Sequence, residues 1–232
     1  FGFQGRVFRV RPELTTVSAM KALETYDLQT TRDLIWALTS PSILSHELCV
    51  DDEESRLDVA RHQGLLARLD QPDSELSRRA QRMKGSRLGD YFELLLTTWM
   101  HEIPEAHVIA SNIQVQGHRG TIGEFDLLFE RDRVFWHWEL AIKYYLAYTE
   151  QDETLWYGPN PVDRLDKKWT KMRDRQLRLG KRRQALSTLR RYDVRYAPEP
   201  RAFMKGYLFE PLSEMKFNEY PDANPHGLRG WW

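Results

Sequence analysis

Thr121 to Ala147, TIGEFDLLFERDRVFWHWELAIKYYLA, is the stretch whose reading decides the fold. It reads as two strands joined by the short charged link Glu130-Arg131-Asp132-Arg133, which is a hairpin signal. The competing reading is a helix. Glu139 and Lys143 stand four residues apart with the acid first, an ordinary helical pair worth only about 0.2–0.5 kcal/mol. Against it, Val134, Phe135, Trp136, Trp138, Ile142, Tyr144 and Tyr145 are the β-branched and aromatic residues that pleated structure favours, so a hairpin is expected. Side chains alternate across a strand. Glu124 and Asp126 therefore share a face of the first strand, and His137, Glu139, Ala141 and Lys143 share a face of the second. Carboxylates between apolar flanks need compensation, because an unpaired buried charge costs several kcal/mol. Lys143 answers one of the three. A divalent cation, held by one or two carboxylates and completed by water and phosphate oxygens, would answer the excess. The plainer alternative is a set of solvated acids on an edge hairpin, and spacing alone leaves both open.

Outward from the hairpin, Ser86 to His101 is expected as a helix, with Ser86 as N-cap and Leu88, Phe92, Leu95, Leu96 and Trp99 on its apolar side. His107 to Gln116 is strand-like and Gly117 to Gly120 a turn. Downstream, Trp156 to Pro161 is loop chemistry, with Asn160 and Pro161 as the cap and first residue of a helix running to about Leu179. A second basic helix is expected from Arg182 to Tyr192, then a strand from Ala202 to Phe209, then loop. The order from Ser86 is helix, three strands, helix, strand: an α/β fold with an αβββαβ core whose mixed central sheet is flanked by helices. Upstream, helices are expected over Asp27–Leu38, Ser55–Leu69 and Ser74–Met83, and Arg6–Val10 alternates like a short strand. The chain thus divides into a mostly helical N-terminal extension packed on the core, residues 1–85, and the core with a C-terminal loop region, residues 86–232.

The 232 residues suffice for one large domain with such an extension. Formal net charge is zero, so only the distribution of charge is informative: Arg164 to Arg191 holds twelve Lys or Arg against two acids. Such a run is either a phosphate-binding surface or a solvated helix face. Lys167, Lys168, Lys171, Arg175 and Arg178 are the candidates to track a nucleic-acid backbone. The single cysteine, Cys49, excludes an intrachain disulfide and a cysteine-based zinc cluster, and a reducing cytoplasm follows naturally. No apolar run reaches the ~18 residues of a membrane span, and the start lacks the apolar core of a signal peptide. The absence of an initial Met and the terminal Trp231-Trp232 suggest a piece of a longer chain. His101, His107 and His118 have no ligand spacing, and no Ser/His arrangement suggests an acyl-transfer triad.

Asp126 on one strand, with Glu139 and a lysine on the next, resembles the PD-(D/E)XK restriction-endonuclease-like superfamily over about Ser86 to Pro211. More narrowly, Arg32-Asp33-Leu34, Arg87-Leu88-Gly89-Asp90-Tyr91-Phe92-Glu93, Gly123-Glu124-Phe125-Asp126, His137-Trp138-Glu139-Leu140-Ala141-Ile142-Lys143 and Gly158-Pro159-Asn160 are similar to the bacterial domain of unknown function 1853, from about Asp27 to the end. The resemblance implies a metal-dependent nuclease that cleaves phosphodiester bonds with activated water, its partner nucleic acid, in the first place DNA. Asp126 and Glu139 would hold Mg²⁺ or Mn²⁺, with Glu93 in support; Glu124, from its place on the Asp126 face alone, is either a third carboxylate ligand or a solvated neighbour. Lys143 would activate the attacking water, and Gln176 would stand near the site. The alternative is a non-catalytic nucleic-acid-binding or interaction module of the same fold. Three positions depart from the superfamily pattern, the first being Phe125, which precedes Asp126 where the pattern has proline. Its lysine falls two residues after the glutamate, where this chain has Ala141, so Lys143 lies one strand repeat of ~6.6–6.8 Å further on. Gly180 stands where a tyrosine is expected after Gln176.

Overall fold

The computed structural model describes residues 25–83, 85–150, 153–210 and 229–231. The strand expected at Arg6–Val10 lies outside them, as does most of the C-terminal loop region. The chain is mixed α/β. Helices α1 (Gln29–Thr39), α2 (Asp52–Arg61), α3 (Gln63–Leu69), α4 (Glu75–Arg82) and α5 (Leu88–Glu102) precede strands β1 (Ala106–Gly117), β2 (Gly120–Arg131), β3 (Val134–Glu150) and β4 (Glu153–Tyr157). Then follow α6 (Leu165–Lys171), α7 (Arg183–Leu189), β5 (Glu199–Glu210) and β6 (Arg229–Trp231). The six strands form one sheet in the order β1-β2-β3-β5-β6, with β4 paired to the far end of β3. The β1–β2, β2–β3 and β3–β4 pairs are antiparallel, and β5 runs parallel to both β3 and β6.

The hairpin exists, and its turn is tighter than the charged link suggests. Asp132 and Arg133 both have positive φ, 54° and 63°, so two residues close it with the backbone twist that matches the strands. β3 outruns the expected strand because β4 supplies a partner for Leu146 to Glu150. Trp156 and Tyr157 therefore belong to a strand rather than to the loop read from Gly158 and its prolines.

The upstream helices have no core of their own. Leu34, Ile35, Leu66 and Leu76 pack with Phe92, Leu96 and Trp99 of α5 and with Leu127, Phe129, Leu140 and Phe203 of the sheet in one apolar cluster. Two polar ties reinforce that layer. Lys205 of β5, only 1 % exposed, donates to Asp52 and to the Ser40 carbonyl, each at 2.6 Å. Arg131 binds Asp58 in bidentate fashion at 2.5 and 2.8 Å. α2 starts at Asp52, three residues before the expected Ser55, because the Asp51 carboxylate caps Glu53 and Glu54. The expected helix over Ser55–Leu69 is two helices that meet at His62.

The opposite sheet face is covered by α6, α7 and the chain between them. Helix α6 begins at Leu165, four residues after Pro161. The Asn160 side chain accepts from Val162 N at 3.1 Å, so it closes a local turn and leaves the helix uncapped. The helix also ends early. Met172–Gln176 form a π turn and Leu179–Lys181 a 3-10 turn before α7. The C-terminal region, expected as loop, contributes the short strand β6. Among the described residues no helix is long and apolar enough to cross a membrane.

Candidate active site

The site lies where the sheet forks. The β2–β3 ladder runs from Arg131/Val134 to Leu127/Trp138 and stops. From there β2 stays with β1 alone, while β3 continues beside β5. The next pair in register would be Asp126 opposite Glu139. There the Asp126 carboxylate takes over as acceptor: its Oδ2 receives the N–H of Leu140 at 2.9 Å. Asp126 stands at a gap in its other ladder too. The β1–β2 register passes from Ser111/Leu127 to Ile113/Phe125 without a pair at Asn112. Asn112 has φ 54°, a left-handed conformation that asparagine tolerates better than most residues. Its side chain acts on Glu93 of α5, opposing the rise of that carboxyl's pKa.

Glu139 is fully buried. Its Oε1 faces His137 Nε2 at 2.9 Å, and its Oε2 accepts from Gln176 Nε2. His137 sits edge-on to Phe125 with ring centroids 4.6 Å apart. Burial pushes its imidazole down to about 4, the Asp126 charge opposing. The ring is thus neutral at physiological pH and donates from Nε2 when Glu139 is ionised.

Burial first, and then the charge of Glu139, pushes Asp126 up to about 7, with the Leu140 N–H opposing. Burial also pushes Glu139 up to about 7, while Lys168 and a hydrogen bond with Asp126 pull the other way. Two carboxyls in contact titrate as a pair rather than as independent acids. Glu93 is raised to about 7 as well, by burial and then by Asp126, Asp90 and Glu124. Of the two supporting acids named from sequence, Glu93 therefore feels Asp126, and the charge of Glu124 acts on both Glu93 and Glu139. Among the described residues no three Asp, Glu, His or Cys side chains converge as a metal cage. The donor chemistry of Asp126 and Glu139 nevertheless fits a hard divalent cation, which needs only one or two carboxylates. Burial has made their charges costly in a way such a cation would relieve.

The lysine read from sequence goes elsewhere. Lys143 donates to Asp163 Oδ2 at 2.6 Å, and Tyr145 OH donates to the other oxygen of that carboxylate at 3.3 Å. Two strand repeats beyond Glu139, its amine meets the loop after β4 and not the fork. The fork has a different lysine. Lys168 of α6 is half-buried, its charge acts on both Glu139 and Asp126, and its Nζ lies 3.5 Å from Gln176 Oε1. The π turn aligns these two residues. One extra residue in the helix lets the eight-residue step from Lys168 to Gln176 behave like seven, two turns within about 20° of the same face. Gln176 thereby reaches Glu139. Gly180 is already past the helix, where an added Cβ would lie 3.0 Å from Pro198.

Of the five residues expected to track a nucleic-acid backbone, Lys167, Lys171, Arg175 and Arg178 are exposed on the α6 side of the fork. Lys168 leaves that set for the site. A signal for this was present, since Lys168 lies three residues after Leu165 and four before Met172, on the helix's apolar stripe. Asn112 carried a weaker one, a turn-type residue inside a strand pattern. Asp163 carried none.

The model of a family described as a domain of unknown function, DUF1853, matches residues 32–232. Neither a curated protein nor a solved structure matches the chain.

Proposed function

The chain belongs to the DUF1853 family, and we propose that its fork is the active site of a cytoplasmic, metal-dependent nuclease with a restriction-endonuclease-like core of the PD-(D/E)XK type. The observation that carries this reading is the place of Asp126 opposite the buried Glu139 where two adjacent strands part, with Lys168 of α6 and Gln176 of the π turn after it facing them. The element order α5-β1-β2-β3-α6-β5, with β3 parallel to β5, supports the fold assignment.

Asp126 and Glu139 would hold Mg²⁺ or Mn²⁺, with Glu93 and Glu124 supporting from outside. Such an ion, when bound, polarises a phosphoryl oxygen and lowers the pKa of its water. The chain's own groups do the rest. Lys168 supplies the positive charge that the site needs against a phosphate, and a preorganised charge in a water-poor site counts most where negative charge develops. His137 holds one oxygen of Glu139 and thereby fixes its orientation. Gln176 holds the other oxygen and ties Glu139 to Lys168. Lys167, Lys171, Arg175 and Arg178 line the approach for the phosphate backbone, DNA being the first candidate. Lys143 has a structural role on Asp163.

The test is cleavage of plasmid DNA and of labelled DNA and RNA oligonucleotides with Mg²⁺ or Mn²⁺. Wild type, Asp126→Asn, Glu139→Gln and Lys168→Met are compared, and calorimetric titration of the metal accompanies the assay. Metal-dependent cleavage lost in all three variants supports the reading. Failure of either metal to bind, with Asp126→Asn indistinguishable from wild type in every assay, would falsify it. A non-catalytic nucleic-acid-binding module is the second reading, favoured by the Gln176 amide already seated on Glu139. Its mark is tight, salt-sensitive binding by wild type and Asp126→Asn alike, without cleavage by either.

A further inference from the structure

Beyond α7 the chain reads Arg190-Arg191-Tyr192-Asp193-Val194-Arg195-Tyr196. This segment is pinned from below. Val194 is fully buried in the cluster with Leu179, Ala185 and Leu189, and its N–H bonds to the Leu189 carbonyl at 3.2 Å. Asp193 turns the chain with φ 60°, and its N–H bonds back to Arg190 at 3.2 Å. The remaining side chains point outward. All three arginines are exposed, and no guanidinium group among them has an ion-pair or hydrogen-bond partner among the described residues. Tyr192 and Tyr196 are 40 % and 57 % exposed, although water is a poor environment for a large ring. Guanidinium groups and exposed tyrosine rings thus share one short turn.

Its position relates it to the fork. The Tyr196 ring lies against Phe135, centroids 5.3 Å apart. Phe135 shares its strand face with Glu139 and precedes it by four residues of β3, roughly 13 Å at 3.3 Å per residue. A strand crossing the fork reaches this turn within about four nucleotide steps at the 3.4 Å rise of a stacked strand, and in fewer when it is extended.

We propose that Arg190–Tyr196 is a binding site for single-stranded nucleic acid, with the arginines on phosphates and Tyr192 and Tyr196 stacked on unpaired bases. A duplex keeps its bases stacked inside and offers this turn phosphates only. Unpaired bases offer flat faces as well, and aromatic platforms with cationic neighbours bind them whatever the sequence. An acidic peptide would satisfy the arginines but leave the rings unused. The inference rests on the nuclease reading only for where the strand leads, and binding is measurable apart from cleavage.

The experiment is fluorescence anisotropy in EDTA with a labelled oligothymidylate and with a labelled duplex of equal length. The full chain is compared with Tyr192→Ala/Tyr196→Ala, Tyr192→Phe/Tyr196→Phe, Arg190→Ala/Arg191→Ala/Arg195→Ala and Asp126→Asn. The alanine pair should weaken oligothymidylate binding at least tenfold while leaving duplex binding within about twofold, since each stacked base contributes appreciably. The phenylalanine pair should bind like wild type. The triple arginine variant should lower the salt slope by about 2, at 0.7 per phosphate. Equal binding of the alanine and phenylalanine pairs overturns the proposal, as does wild-type displacement by polyglutamate that ignores the tyrosines. Cleavage lost in Asp126→Asn alongside that equality leaves the nuclease reading standing without this site. Tyrosine-dependent binding in a protein that cleaves nothing leaves this site standing without the nuclease.

Discussion

Replacing Asp126 by asparagine should make the metal-free protein more stable at neutral pH. The side chain keeps its shape, and an amide oxygen can still accept the Leu140 N–H that Asp126 Oδ2 now receives at 2.9 Å. What is lost is a charge the fold resists. Burial and Glu139 push the Asp126 carboxyl from 3.8 up to about 7. That is roughly three pH units at 1.36 kcal/mol each, or about 4 kcal/mol. The native state binds this proton more tightly than the unfolded chain does. Its stabilising contribution is therefore intact below about pH 4, is lost progressively as pH rises towards about 7, and stays lost above it. Asparagine has no such profile. The variant should match wild type near pH 4 and exceed it by about 2–4 kcal/mol at pH 8, the lower figure allowing for Lys168 losing one of its two counter-charges. The assay is urea unfolding followed by tryptophan fluorescence in EDTA at each pH unit from 4 to 8. Parallel profiles, or a variant less stable than wild type at pH 8, would show that the protein already compensates Asp126 and that the electrostatic argument for the site is mistaken. Saturating Mg²⁺ should then narrow the gap at pH 8 by stabilising wild type, since a ligand at a hundred times its Kd adds about 2.7 kcal/mol.

Lys168→Met should lower any cleavage rate by at least about 100-fold. Lys143→Met should lower it far less and cost about 1 kcal/mol or less, because its Asp163 pair is only half-buried; equal losses in rate would contradict the assignment. Lys205→Met strands Asp52 on its Ser42 contacts and should cost about 3 kcal/mol. In calorimetry this is a fall in Tm of roughly 6–12 °C, much of it restored by adding Asp52→Leu. Gly206→Ala should prevent native packing, since φ is 146° and the new Cβ would lie 1.7 Å from the Lys143 carbonyl oxygen; a native near-UV circular dichroism spectrum would contradict the described β3–β5 register.

The hairpin was legible because two independent signals agree over Thr121 to Ala147: residues that prefer strands, and acids placed at alternating positions. The helix α5 and the strand β5 were legible for similar reasons, each being a periodic run bounded by breakers. What escaped was decided by contacts distant in sequence. Nothing local to Met172–Gln176 announces a π turn; the helix widens where Met172 is buried against the sheet and Gln176 reaches Glu139. The alternation rule put Lys143 on the correct face, but it says nothing of where a long side chain ends, and Asp163 lies twenty residues downstream. The charge run from Arg164 likewise gives each cation the same local appearance. Only its phase against Leu165 and Met172 separates Lys168, turned inward, from Lys167 and Lys171, which stay in water.

The fork also disposes of the plain alternative of solvated acids on an edge. β3 is a central strand and Glu139 has no exposed surface. A structural explanation for the acids fares better with one of them than with both. Where the β2–β3 ladder ends, Leu140 N–H needs an acceptor, and Asp126 supplies it. An asparagine would do the same without burying a charge, and a glutamine at position 139 could still meet His137 and Gln176. The protein instead keeps two ionisable groups in contact, raises the pKa of both, and sets beside them one half-buried lysine whose own pKa is lowered by desolvation. Perturbed carboxyls of this kind gather where chemistry needs them, and the stability forgone is the usual signature of a site shaped for function rather than for folding. The pH profile of Asp126→Asn measures that stability directly, and so weighs the functional reading before any substrate is known.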